Sequence, residues 1–150
     1  MKIPIEVSAR HLHLSQKDLE ALFGVGYELT KFKDLTQLGD FAAEEFLTVK
    51  AGDKEIKNIR IVGPVRKETQ VELSLTDSFV LGINPPIRIS GDIQGTFGVF
   101  LKNEKKGNEI SLEKGVIVSH RHIHCNPEEA EELKIKNRDM VSVKVKVIGD

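Results

Sequence analysis

Two short segments, one near each end of the chain, carry all five histidines of the protein. Val7-Ser8-Ala9-Arg10-His11-Leu12-His13-Leu14-Ser15 and Val118-Ser119-His120-Arg121-His122-Ile123-His124-Cys125-Asn126 share the pattern Val-Ser-x-Arg-His-apolar-His. In extended backbone, side chains alternate between faces, so histidines at i and i+2 bring two imidazoles to one side. One such pair is commonly no more than a polar, solvated face. Two matching copies that hold every histidine point to a shared task, and at this spacing the task is metal binding. Neutral imidazole suits zinc, copper, iron or nickel. A catalytic zinc takes three protein donors and keeps a position open, so each pair is short of a set. Glu72, in Thr69-Gln70-Val71-Glu72-Leu73-Ser74, is a candidate third donor for His11 and His13. If Val71 and Leu73 turn to a core, Glu72 faces the other way.

Anion chemistry has its own candidates. Arg60, Arg66 and Lys67 flank Gly63-Pro64, and a guanidinium on a rigid corner offers a planar fork for phosphate or carboxylate. The competing reading is a surface salt bridge to Glu72 or a neighbouring carboxylate. Ser90-Gly91-Asp92-Ile93-Gln94-Gly95-Thr96-Phe97-Gly98 is a glycine-rich turn whose amides could approach phosphate. No helix pattern follows it, so it is neither a P-loop nor a dinucleotide fingerprint. Cys125 points away from the imidazoles in an extended segment and reads as a buried thiol. Glu44 and Glu45 read as a solvated pair with one buried hydrogen bond. With every histidine in the repeat, no Ser-His-Asp or Cys-His triad is suggested.

These groups need elements to hold them. Residues 3–8 alternate as a strand that delivers Arg10, His11 and His13 at its end. Ser15 then caps a short helix with Leu19, Leu22 and Phe23 on its apolar stripe and Gly24 at its end. In the second copy Asn126 caps, Pro127 takes the first helical position, Glu129 completes the capping box and Asn137 ends the helix. Between the copies, strands are expected at 27–33, 46–50, 55–62, 68–73, 87–90, 97–102, 109–112 and 115–119. Residues 51–54 and 103–108 read as hairpin loops, and a helical turn after Thr76 is expected to face Phe79 and Val80 inward and close at Gly82. Met140 to Val147 alternates as a further strand that needs pairing partners. The fold class is mainly β: many short strands at this spacing imply small barrels with about two short capped helices.

The chain of 150 residues can hold one ordinary core or two small barrels. Its 22 basic and 23 acidic residues leave a net charge of −1, which argues for neither nucleic acid nor a membrane surface as partner. A small molecule is the expected partner. A lone cysteine allows no internal disulfide, and the chain has neither a signal-peptide core nor a span-length apolar run. A cytoplasmic protein is expected.

The quoted segments, together with Lys33-Asp34-Leu35, Phe41-Ala42-Ala43-Glu44-Glu45, Gly63-Pro64-Val65-Arg66, Pro86-Ile87-Arg88 and Ser90-Gly91-Asp92, resemble in order the phosphate propanoyltransferases of the PduL type. The likeness runs from about residue 3 to residue 147, and the paired Arg-His-x-His motifs make it specific. It implies reversible transfer of a short acyl group, propanoyl or acetyl, between coenzyme A and inorganic phosphate. It also implies two β-barrel domains, one of residues 10–117 and a discontinuous one of 1–9 with 118–150, and two zinc ions between them. By motif, His11, His13 and Glu72 would hold one zinc, and His122 and His124 the other. Arg66 would be the catalytic, phosphate-binding arginine, assisted by Ser90. Ser8, Lys33 and Arg60 would contact coenzyme A. A homodimer, in the cytoplasm or a bacterial microcompartment, is implied as well. Family members continue past the strand at 140–147 with two more strands and a histidine that completes the second zinc site. Within these residues His120 and Cys125 are the other candidate donors, and a partner chain is another source.

Two other classes stand beside this reading. One is a non-catalytic metal- or coenzyme A-binding module completed by another chain, which metal content and turnover distinguish from an enzyme. The other is a metal-dependent thioester hydrolase, whose activity would not depend on phosphate.

Overall fold

A computed structural model describes residues 8–37 and 39–145. The strands are β1 (His11–His13), β2 (Lys31–Asp34), β3 (Phe41–Ala51), β4 (Lys54–Gly63), β5 (Gln70–Leu73), β6 (Ile87–Arg88), β7 (Phe100–Lys102), β8 (Glu109–Ser111) and β9 (Val116–Ser119). Three short helices interrupt them: α1 (Gln16–Phe23), α2 (Leu75–Leu81) and α3 (Pro127–Glu132). All nine strands join one mixed sheet in the order β6-β9-β5-β1-β4-β3-β7-β8, with β2 added on β3. β1 is central: it runs antiparallel to β5 on one side and parallel to β4 on the other. The first histidine pair therefore lies inside the sheet, one step further along the chain than a strand at 3–8 would put it. That expected strand falls outside the described residues up to Val7.

The core forms where apolar residues of neighbouring strands meet. Leu12 of β1, Ile59 and Ile61 of β4 and Val71 of β5 are all fully buried. Burial of this apolar area is what holds the central strands together. Helix α1 lays Leu19, Leu22 and Phe23 on the same core. Its start is set by Ser15, whose hydroxyl accepts from the Asp18 amide. The other end is capped from the β7–β8 loop: the Asn103 and Asn108 amides each donate to the Leu22 carbonyl at 3.1 Å, and Lys106 donates to that of Phe23. Carbonyls that a helix cannot satisfy internally thus find donors. No helix among the described residues is long and apolar enough to cross a membrane.

Several local expectations change. Helix α2 starts at its Ser74 capping box and closes at Gly82 in the left-handed region, as expected, but Phe79 is 84% exposed and Val80 50%. Asp77, Ser78 and Leu81 form the inward face, because the Ser74–Asp77 box fixes the helix rotation. The helix after Asn126 ends at Leu133 and not Asn137. Lys134 turns left-handed, and the Ile135 amide closes back on the Ala130 carbonyl, which stops propagation. Residues 140–145 belong to no strand, and 146–147 lie outside the described residues. Cys125 is half-buried.

The repeat is preserved at its caps and lost at its histidines. Ser15 and Asn126 hold matching positions and both cap helices. His11–His13 are strand, whereas β9 ends at Ser119 and the residues carrying His122 and His124 leave the sheet.

Gly98 supplies the sharpest packing constraint, since a Cβ there would lie 1.6 Å from the Leu112 carbonyl oxygen. Backbone cannot give way as a flexible side chain can. Gly98→Ala is expected to destabilise the fold by about 1–3 kcal/mol, read as a lower denaturant midpoint; an unchanged midpoint would contradict this packing.

Candidate active site

The site grows from a cross-strand register. Pairing of β1 with β5 sets His11 opposite Glu72 and His13 opposite Gln70. Side chains directly opposite on a sheet are near neighbours, and positions two apart share a face. Four side chains therefore make one polar patch, while Leu12 and Val71, the residues between, are sealed in the core on the other face. His13, Gln70 and Glu72 are buried and His11 half-buried.

Three of the four converge as donors. His11 Nε2 lies 3.6 Å and His13 Nε2 3.8 Å from Glu72 Oε1, and one ligand atom from each lies within 4.8 Å of the others. The remaining ring nitrogens are engaged by backbone: His11 Nδ1 meets the Ala9 carbonyl at 2.8 Å and His13 Nδ1 the Val62 carbonyl at 3.0 Å. A carbonyl can only accept, so each Nδ1 carries the proton and each Nε2 can present its lone pair inward. Carbonyls that accept from the far ring nitrogen orient metal-ligating histidines in this way. Donors about 2 Å from a tetrahedral zinc sit about 3.4 Å apart, so small shifts close this set. The trio thus fits a zinc-type ion. Among the described residues it is the one such group of three or more.

Charge agrees with that use. Burial, then the positive charge of Arg66 and the neighbouring His11, hold His13 neutral down to about 3. Burial alone would raise the Glu72 carboxyl, but the neighbouring His11, the hydrogen bond from Ser90 and the charge of His13 take it down to about 2. Burial would lower His11, but the Glu72 carboxylate beside its ring outweighs this and raises it.

An edge formed by Arg66 and the glycine-rich turn adjoins the trio. Ser90 Oγ donates to Glu72 Oε1 at 2.9 Å and accepts from Arg66 at 3.1 Å. The glycine-rich turn and the guanidinium are thereby tied to the Glu72 carboxylate through one hydroxyl. Arg66 does not pair with Glu72; its nearest carboxylate among the described residues is Asp40 at 3.7 Å, and its side chain keeps about a third of its surface exposed. The position is fixed by backbone, since the Arg66 amide donates to the Leu14 carbonyl beside β1.

Ser8 and Arg60 line an adjacent cleft of about 520 Å³ together with Arg10, Phe46, Asn58 and Asp77. The Arg60 guanidinium lies over the rings of Phe32 and Phe46, at 4.8 and 4.2 Å. Lys33 stands exposed on β2 outside this lining, although its neighbour Phe32 touches Arg60. His122 and His124 are also exposed, their rings 4.7 Å apart with Nε2 atoms at 3.1 Å, and no third donor group gathers round them among the described residues. Sequence reading missed Gln70 and the Arg10–Asp77 ion pair, which spans 2.5 Å at the cleft wall. The alternation of Gln70 with Glu72 was the available signal for the first; the second joins residues far apart in sequence.

The mainly β architecture sets a buried His-His-Glu trio, a donor set that could hold a metal ion, beside an arginine and a glycine-rich turn. The family model for phosphate propanoyltransferase matches residues 4–149, and the chain belongs to that family. It is 50% identical over 141 residues to the phosphate propanoyltransferase of Thermotoga maritima, covering 94% of this chain and 66% of that one. The Enterococcus faecalis phosphate propanoyltransferase is 50% identical over 142 residues, with the same coverage, and that of Clostridioides difficile 45% over 143, covering 95% and 68%. The chain spans about two thirds of the length of these relatives.

The pKa pattern sets a pH dependence. Between 6.5, the ordinary histidine value, and about 3, the unfolded chain holds a proton that folded His13 refuses, so stability falls as pH drops through this window. Glu72 adds to the loss from 4.5 down to about 2. His11 acts oppositely, its raised value favouring the folded state once pH falls below it, and that gain is complete by 6.5. Metal-free protein should therefore lose stability below pH 6.5, with a shallower slope between 6.5 and 4.5 in His13→Asn. Urea midpoints across pH check this, and equal slopes would contradict it.

Proposed function

We propose that the protein is a phosphate acyltransferase that moves a short acyl group between coenzyme A and inorganic phosphate. The observation that carries the reading is the hydroxyl of Ser90, which links the Arg66 guanidinium to the carboxylate of the His11–His13–Glu72 trio. Family membership supplies the reaction class. A zinc ion held by His11, His13 and Glu72 would act as a Lewis acid toward the thioester carbonyl.

In the direction of acyl-phosphate formation, Arg66 gathers phosphate by charge and planar hydrogen bonding, and Ser90 orients it. A phosphate oxygen attacks the thioester carbonyl carbon, the C–S bond breaks, and coenzyme A leaves as thiolate. Phosphate is already an anion near neutrality, so the chain needs no side-chain nucleophile and little general-base help. Ser8, Arg60 and Lys33 would hold coenzyme A. The cleft lined by Ser8 and Arg60 supports the first two, and the stacked Arg60 offers a flat cationic surface. His122 and His124 would hold a second zinc, with a third donor from outside the described residues or from a partner chain. The division into barrels of 10–117 and of 1–9 with 118–150, the homodimer, and the cytoplasmic or microcompartment setting belong to the same proposal.

The lack of a third donor beside His122 and His124 among the described residues favours one rival, a metal- and coenzyme A-binding module completed by another chain. The two readings part on turnover. Acyl-coenzyme A and phosphate should yield acyl phosphate and free thiol in equal amounts. Arg66→Ala should raise KM for phosphate by about 10- to 100-fold, the worth of a charged hydrogen bond. His122→Ala combined with His124→Ala should remove one zinc and most turnover. Thiol release that ignores phosphate would point to a hydrolase, and zinc uptake without turnover to the module.

A further inference from the structure

The fourth corner of the β1–β5 patch is Gln70, 98% buried and absent from the donor set. Its amide has three short contacts. Nε2 donates to Glu72 Oε1 at 2.6 Å and to Ser90 Oγ at 2.9 Å, while Oε1 accepts from the Gly91 amide at 2.7 Å. The orientation is forced chemically, because an amide N–H must meet an acceptor and an ionised carboxylate must meet a donor. Both Nε2 hydrogens are used, and among the described residues no other side chain joins Glu72 and the glycine-rich turn in this way.

We infer that Gln70 is a positioning residue that locks the Glu72 carboxylate and the Ser90-Gly91 turn into one unit, so that the metal trio and the phosphate edge are set together. The inference rests on the acyltransferase reading above. Glu72 carries two donors on the oxygen that faces both imidazoles, and these contacts hold the orientation of its carboxylate beside the two rings. Gly91 is held with its amide turned to Gln70 and its φ at 94°, so the turn stays open beside Arg66. A neutral amide does this without adding a negative charge next to bound phosphate. A carboxylate of the same shape could still accept from Gly91 but would face Glu72 with no proton to give.

The test uses the full chain and two variants, Gln70→Met, which keeps length and loses the polar contacts, and Gln70→Glu, which keeps only the acceptor. Zinc affinity is measured by competition with a chromogenic chelator, thermal stability on metal-free protein, and KM for phosphate from acyl-phosphate formation. Both variants are expected to bind zinc about 10- to 100-fold more weakly. KM for phosphate should rise in both and further in Gln70→Glu. A purely structural role would lower thermal stability and leave the zinc affinity and KM of the folded protein at wild-type values, which would overturn the inference. Should Gln70→Met not fold, Gln70→Glu decides alone by the same two readouts. A wild type that binds zinc and turns over, beside unaffected variants, would sink the role of Gln70 only. A wild type that binds no zinc would sink the metal-dependent reading and this inference with it.

Discussion

Antiparallel pairing of β1 with β5, at the register that sets His11 across from Glu72 and His13 across from Gln70, is the constraint on which the site depends. A slip of one residue would turn all four side chains to the opposite face and expose Leu12 and Val71 in their place. Both leucine and valine are fully buried, so the core opposes the slip. The chemistry thus inherits its geometry from the hydrophobic effect on the far side of the same two strands. Parallel pairing of β1 with β4 adds a second brace, and the Val62 carbonyl at the end of β4 fixes the His13 ring directly.

Burial of polar groups on this scale needs compensation. Glu72 lies inside the fold with two donors and two imidazoles around one oxygen, and Gln70 uses three of its hydrogen-bonding positions. Hydrogen bonds to an ionised group in a poorly solvated site are among the stronger ones a protein makes. The same surroundings hold His13 neutral and Glu72 ionised, the protonation states in which they can donate to a cation. Arg66 sits close enough to help push His13 down and to oppose the rise of His11, and its own side chain is left partly exposed.

The site was legible in sequence where its signals were local. The His-x-His spacing, the alternation that puts Glu72 on a polar face and the capping residues Ser15, Ser74 and Asn126 depend on neighbours within a few positions. What escaped depends on distant partners. Phe41-Ala42-Ala43 has no clear strand pattern, yet β3 begins at Phe41 because β2 and β4 pair with it on both sides. Phe79 and Val80 suggested an inward face, but Asp77, tied to Ser74 and Arg10, sets the rotation of α2. The two Arg-His-x-His copies read alike and fold differently, since only the first finds strands on either side.

Whether register-paired β1 and β5 build a cation site can be read from anomalous diffraction at the zinc edge, on crystals of zinc-loaded protein. A peak is expected about 2.0–2.2 Å from His11 Nε2, His13 Nε2 and a Glu72 carboxylate oxygen. A map with no peak at that trio, from protein shown to carry zinc, would contradict it.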